Sequence, residues 1–189
     1  LSMDKPARRR ECFDRIKSLS NAEKAAASAR MRELVLASPL FREAKTIFSF
    51  AALPSEPDLG PLVGDCPDKI WAYPKVGRDD RLTFYTVHPD HVLSRGSLGI
   101  SEPEPLPERL QPPSAPDLIL VPGVGFDLRS LTRLGRGKGH YDRYLALVLE
   151  EKRPVTFVGV GFSAQFVTLI RESHDITMHR LLTEDGWTG

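Results

Sequence analysis

The sequence predicts an α/β domain with a mostly parallel sheet. Three observations carry that expectation: an apolar run at 117–126 (DLILVPGVGF), a second at 155–162 (VTFVGVGF), and a helical pattern lying between them. Strands that read as near-continuous apolar runs are buried on both faces, as parallel strands covered by helices are. Helices alternating with such strands define the α/β class.

The first 38 residues read as two helices. Ser20 to Glu23 fits a capping box, in which the two side chains satisfy orphan amides at the second helix's start. That helix continues with Ala27, Met31, Leu34 and Val35 at helical spacing, and Pro39 lies just past its end. Three strand candidates follow, TIFSFAAL (46–53, bounded by Pro54), KIWAYP (69–74) and LTFYTV (82–87), each rich in β-branched or aromatic residues. Six prolines between 96 and 116 exclude a regular element there. The stretch reads as an ordered surface loop crossing the domain, with a linker as the alternative. After the 117–126 strand, a helix is expected with Tyr141, Leu145, Val148 and Leu149 on one stripe, then the buried strand 155–162. No repeat is visible, and one domain, 1–189, accounts for the chain.

Composition narrows the function classes. With 189 residues, 41% apolar and 27% charged, the chain suits one globular domain with a sizeable core. A net charge of +1 leaves attraction for nucleic acid or an anionic membrane to a local patch. No apolar run approaches the roughly 18 residues of a membrane span. The opening LSMDKPARRR has basic residues but no apolar stretch after them, so no secretory signal is expected. Cys12 and Cys66 have no metal-ligand spacing and favour a reducing compartment. The expectation is a cytoplasmic monomer with no nucleic-acid or membrane partner.

The segment RLGRGKGHYDRYL (133–145) concentrates the chemistry. Gly135, Gly137 and Gly139 alternate with Arg136 and Lys138, directly ahead of the expected helix. Glycine lets backbone amides approach a ligand without a Cβ in the way. A helix N-terminus adds unpaired amides and partial positive charge. Together they suit a phosphate, with Arg136 and Lys138 supplying full charges. Neither the P-loop nor the dinucleotide fingerprint can be read here. A flexible, solvated basic loop is the alternative. The preceding buried strand favours the ligand site, as does Asp142, whose carboxylate could hold a Mg²⁺ that bridges phosphates.

VPGVGFD followed by RLGRGKGHYDRYL resembles the signature of the 5-formyltetrahydrofolate cyclo-ligase (methenyltetrahydrofolate synthetase) family. The likeness extends along the chain in order: Lys5 and Arg9 four apart in the first helix, FSFAALPSEPD, YPKV (73–76), GISEP (99–103), and a C-terminal GFSAQFV…HDI…LLTEDG with Gln165 and Asp175. The resemblance implies a three-layer αβα Rossmann-like domain with a mostly parallel central sheet (NagB/RpiA/CoA-transferase-like). It implies an ATP- and Mg²⁺-dependent ring closure, in which the formyl oxygen of 5-formyltetrahydrofolate is phosphorylated and a neighbouring amine displaces phosphate. On this resemblance the ATP site is Lys5, Arg9, Arg133, Leu134, Gly135, Arg136, Gly137, Lys138, Gly139, His140 and Tyr141. Arg136, Lys138 and Tyr141 are the catalytic candidates; Ala51, Glu56 and His140 meet the folate; Asp142 and Asp175 hold the metal.

Three departures from the family pattern accompany the likeness. His140 stands where the family usually has a tyrosine. The turn from Phe126 to Arg133 is longer by one residue than is common. His179 replaces a C-terminal acid. These features motivate a second reading, an ATP- or folate-binding homologue that acts as a regulator or on another substrate. A third, an RNA-binding module using Arg8, Arg9, Arg10 and the 129–143 cluster, rests on short basic tracts in a nearly neutral chain.

Overall fold

A computed structural model describes residues 4–96 and 99–189; the first three residues of the opening segment lie outside it. Helices α1 (Lys5–Ser18), α2 (Asn21–Ala37) and the short α3 (Pro39–Glu43) lead into strand β1 (Thr46–Phe48). Then come α4 (Leu62–Asp65), the hairpin β2 (Ile70–Val76) and β3 (Leu82–Val87), and the ribbon β4 (Ser94–Arg95) and β5 (Ser101–Glu102). Strands β6 (Leu110–Gln111) and β7 (Leu118–Pro122) precede a small hairpin, β8 (Gly125–Phe126) and β9 (Arg133–Leu134). Helix α5 (His140–Glu150), β10 (Thr156–Val160), β11 (Arg180–Thr183) and β12 (Gly186–Thr188) complete the chain.

Eight strands form one sheet in the order β12-β11-β10-β7-β1-β2-β3-β6. Parallel pairings join β2, β1, β7, β10 and β11, while β3, β6 and β12 attach antiparallel. Along the parallel strands, alternate residues serve opposite cores. Ile47, Leu118, Leu120, Val158 and Leu182 pack with Met31, Val35 and Phe41 on the side of α2 and α3. Phe48, Ile119, Val121, Phe157 and Leu181 pack with Tyr144, Leu145 and Val148 of α5 on the other. The result is the expected three-layer αβα arrangement with a mostly parallel sheet.

The Ser20/Glu23 capping box forms as expected. Four sequence expectations need correction. The strand expected at 46–53 stops at Phe48, because Phe50 to Leu53 leave the sheet to line a cavity. The run 117–126 is interrupted after Pro122: β8 turns away to pair with β9. The Phe126 ring then folds back across Gly123, Gly159 and Gly161, where an added Cβ would lie only 2.6–2.7 Å from it. On α5, Leu149 is 46% exposed and the buried stripe includes Tyr144 instead. The proline-rich 99–116 segment contains β5, a 3₁₀ turn at Pro107–Arg109 and β6, so it is partly woven into the sheet.

Chain order places a switch point beside β1. The path to β2 passes through α4 on one face, whereas β7 reaches β10 through α5 on the other. Open α/β sheets bind ligands at such a point, outside the carboxyl ends of the strands.

Candidate functional site

The β8–β9 hairpin delivers Arg133 to the carboxyl end of β7. Asp127 builds its turn: Oδ1 accepts from the amides of Arg129 (2.8 Å) and Ser130 (3.1 Å), and Oδ2 from Leu169 (2.7 Å). Burial pushes the Asp127 carboxyl up, but these bonds outweigh it and hold it below the usual range. In the longer turn, Leu131 takes a positive φ of 53°. Arg133, 6% exposed, donates to the Pro122 carbonyl (3.3 Å) and to Asp142 Oδ2 (2.9 Å), and lies over the Tyr141 ring.

The glycine run follows at once, and its glycines have separate reasons. A Cβ at Gly135 would sit 2.8 Å from the Arg133 guanidinium, while Gly137 and Gly139 have φ of 102° and 68°. Gly139 is the N-cap of α5 and provides no side-chain cap, so the helix presents its first amides as an anion site. Arg9 of α1 donates Nε to the Gly135 carbonyl at 2.7 Å. Arg136 reaches Ser55 Oγ (3.0 Å) and Glu56 Oε1 (3.2 Å). The Lys138 side chain is exposed, and its ammonium has no hydrogen-bond partner among the described residues.

This loop forms one wall of a cavity of about 350 Å³. Of the sequence-predicted residues, Ala51, Glu56, Arg133, Gly135, Arg136, Lys138, Gly139, His140 and Tyr141 all line it, with Phe50, Pro74, Val76, Leu82, Ile100 and Glu102. Glu56 Oε2 accepts from the Leu53 amide at 3.0 Å, so both its oxygens are engaged. The Tyr141 hydroxyl is buried without a partner among the described residues, and burial pushes its phenol well up. It therefore stays a neutral donor. Leu134 and Gly137 do not line the cavity; the Leu134 side chain is in the core and its carbonyl accepts from Val124 at 2.7 Å. A larger hollow of about 840 Å³ on the other side of His140, beside Leu110 and Leu147, carries only His140 of the predicted set.

The expected metal ligands sit beside the glycine loop, outside the cavity wall. Asp142 pairs with Arg133, and its Oδ1 faces the Ile176 amide at 3.4 Å, so Asp142 and Asp175 occupy one neighbourhood. Lys5 Nζ contacts Asp175 (2.8 and 3.0 Å) and Glu172 (2.9 Å). Burial pushes the Asp175 carboxyl up; the Glu172 amide and Lys5 outweigh it and hold the group low. Glu172, His174 and Asp175 each bring a ligand atom within 4.8 Å of the others. Carboxylate oxygens suit Mg²⁺; Asp175 belongs to this group, whereas Asp142 is held by Arg133 outside it.

Two features escaped sequence reasoning. Asp80, at the tip of the β2–β3 hairpin, meets His140 at 2.7 Å and also contacts Arg143. Glu102 is buried on the cavity wall and paired with Lys75. Neither has a local signal, since a turn acid and one acid among prolines both read as solvated.

Fold and site together define a Rossmann-like α/β protein in which a basic glycine-rich loop and two glutamates, Glu56 and Glu102, line one cavity. Comparison with known proteins makes this specific. The model of the 5-formyltetrahydrofolate cyclo-ligase family matches residues 2–184. The chain is 29% identical over 193 residues to the 5-formyltetrahydrofolate cyclo-ligase of Mus musculus, covering 94% of this chain and 92% of the mouse protein. The solution structure of Aquifex aeolicus 5,10-methenyltetrahydrofolate synthetase superposes with a TM-score of 0.84 at 33% identity, over 98% of this chain and 92% of that one. A 5,10-methenyltetrahydrofolate synthetase from Mycoplasma pneumoniae shares the fold, with a TM-score of 0.76 at 24% identity, over 96% of this chain and 99% of that one. The chain belongs to the 5-formyltetrahydrofolate cyclo-ligase family.

Proposed function

We propose that this protein closes 5-formyltetrahydrofolate to 5,10-methenyltetrahydrofolate, converting ATP to ADP and phosphate. The observation that carries the reading is spatial. The basic glycine loop and Glu56 share one cavity, and Arg136 bridges them, so a phosphate donor and an amine-bearing ring can meet there. Phosphoryl transfer asks a protein mainly for alignment and charge neutralisation.

Lys138, Arg9 and the first amides of α5 bind the phosphates. Arg136 sits between nucleotide and folate, positioned by Glu56, whose carboxylate accepts from the pterin's amino and ring N–H donors. His140 and Ala51 complete the folate wall, and Tyr141 donates from its neutral hydroxyl. Asp142 and Asp175 would hold Mg²⁺, which supplies further charge neutralisation. Cys12 and Cys66 are both free thiols, which suits a reducing compartment; we place the protein in the cytoplasm as a monomer acting on a small molecule.

The test is absorbance of the methenyl chromophore after mixing protein, 5-formyltetrahydrofolate, ATP and Mg²⁺, with each omitted in turn. A rise that needs every component is expected. ATP binding with no rise would favour the regulator instead.

A further inference from the structure

Glu102 is the carboxylate on the cavity wall that the scheme above leaves unused. It is 3% exposed, and its neighbourhood is tightly closed: a Cβ at Gly96 would lie 2.3–2.8 Å from its carboxyl atoms. Oε2 accepts from Lys75 Nζ at 2.7 Å, while among the described residues Oε1 has a single 3.5 Å contact, with the Val76 amide. A carboxylate offers about four acceptor sites, so Oε1, with one long contact among the described residues, retains acceptor capacity. The same cavity wall carries Phe50, Pro74, Val76, Leu82 and Ile100 beside the charged Glu56, Arg133, Arg136 and Lys138. A buried carboxylate on that wall interacts strongly with any charge that enters beside it.

Transfer of the ATP γ-phosphoryl group to the formyl oxygen, with the bond to ADP breaking, creates one at the formyl-bearing nitrogen, and ring closure retains it. The amine lone pair makes the new C–N bond, and the C–O bond to phosphate breaks with its electrons leaving on phosphate. The amine proton passes to solvent. The closed ring keeps one positive charge shared by its two nitrogens, where the starting formamide is neutral. The geometry points to Glu102 as the counter-charge for that cation, with Lys75 damping its field and fixing its place. It acts on the transition state and product more than on bound substrate, which is how an electrostatic group accelerates a step. This rests on the cyclo-ligase activity proposed above.

The experiment measures equilibrium affinities of wild type, E102Q and K75M for 5-formyltetrahydrofolate and for freshly prepared 5,10-methenyltetrahydrofolate. ATP affinity and kcat are followed alongside. E102Q keeps the shape and removes the charge. It should weaken the cationic ligand by about tenfold relative to the neutral one, with ATP binding unchanged and kcat reduced more than KM is raised. K75M unmasks the carboxylate and should shift the ratio the other way. Equal weakening of both ligands by E102Q, or a K75M ratio that moves with the E102Q ratio, would make the pair a structural strut and overturn the assignment. If E102Q does not fold, the direction of the K75M ratio decides. Failure of wild type to bind either folate would sink the proposed activity itself, and the wild-type measurements alone would reveal it.

Discussion

His140 Nε2 and Asp80 Oδ1 lie 2.7 Å apart, tying the first residue of α5 to the tip of the β2–β3 hairpin. The histidine side chain is 12% exposed and the aspartate 67%, so the contact is anchored on the cavity side and open on the other. The histidine that departs from the family pattern thus holds a second wall against the glycine loop. D80A should raise KM for ATP and folate several-fold, an effect of loosened positioning, with no measurable change in denaturant midpoint. The hydrogen bond from His140 holds the Asp80 carboxyl below its usual range. The contact is therefore fully present above the ordinary carboxylate pKa of about 3.9 and is lost only as pH falls through the lower folded value. Steady-state kinetics at neutral pH and the His140 ring resonances in an acid titration check both parts.

Lys138 and Asp142 separate function from folding. The exposed Lys138 ammonium supports no other group, so K138A should lose turnover by about 100-fold or more with an unchanged Tm. Asp142 instead balances Arg133, whose side chain is 4% exposed. D142A strands a buried guanidinium, and urea unfolding should show a loss of about 3–5 kcal/mol besides any loss of turnover.

Asp127 gives a stability effect with a defined pH window. D127A removes the acceptor of three amides and should cost about 2 kcal/mol at neutral pH. The folded carboxyl titrates below its ordinary value, so its contribution is complete above the unfolded pKa and disappears as pH falls through the folded one. Wild-type and D127A urea midpoints should therefore converge in strong acid.

Leu131 sits in the β8–β9 turn at φ 53°, a conformation that costs an L side chain about 1–2 kcal/mol. Both L131A and L131G lose the packing of the leucine side chain. L131G should nevertheless be more stable than L131A by about 1 kcal/mol, the reverse of their usual order. Paired urea melts decide it.

Much of this was legible in the chain's local chemistry. The strand at 82–87 and the capping box at Ser20 appear where pattern and composition put them, because each depends on neighbours close in sequence. The glycine loop was legible for the same reason: glycines, cations and a helix start fall within a few residues. Leu134 lies in the motif but its side chain packs in the core, since an apolar residue inside such a motif can belong to the layer behind it. The strand ends at Phe48 and Pro122 were overrun because Phe50, Leu53 and Val124 are as apolar as true strand residues; what stops the strands is the cavity and the Phe126 ring, both made by distant chain segments. Glu102 lies within GISEP, where nothing local marks a role for it. Its burial is created by Gly96 and Lys75, and no local pattern encodes that.

Helix α1 has a consequence for the order in which the molecule becomes competent. Lys5 meets Asp175 across 170 positions of chain, and Arg9 closes on Gly135 across 126. Contacts of such separation carry the full entropy of loop closure and form late in folding. During synthesis α1 leaves the ribosome long before Asp175 is made, so the Lys5–Asp175 contact waits for that residue. A nascent chain that already carries the whole glycine loop therefore still lacks the tether between α1 and Asp175, and the glycine-loop end of the cavity gains that support only after a further stretch of chain has been added.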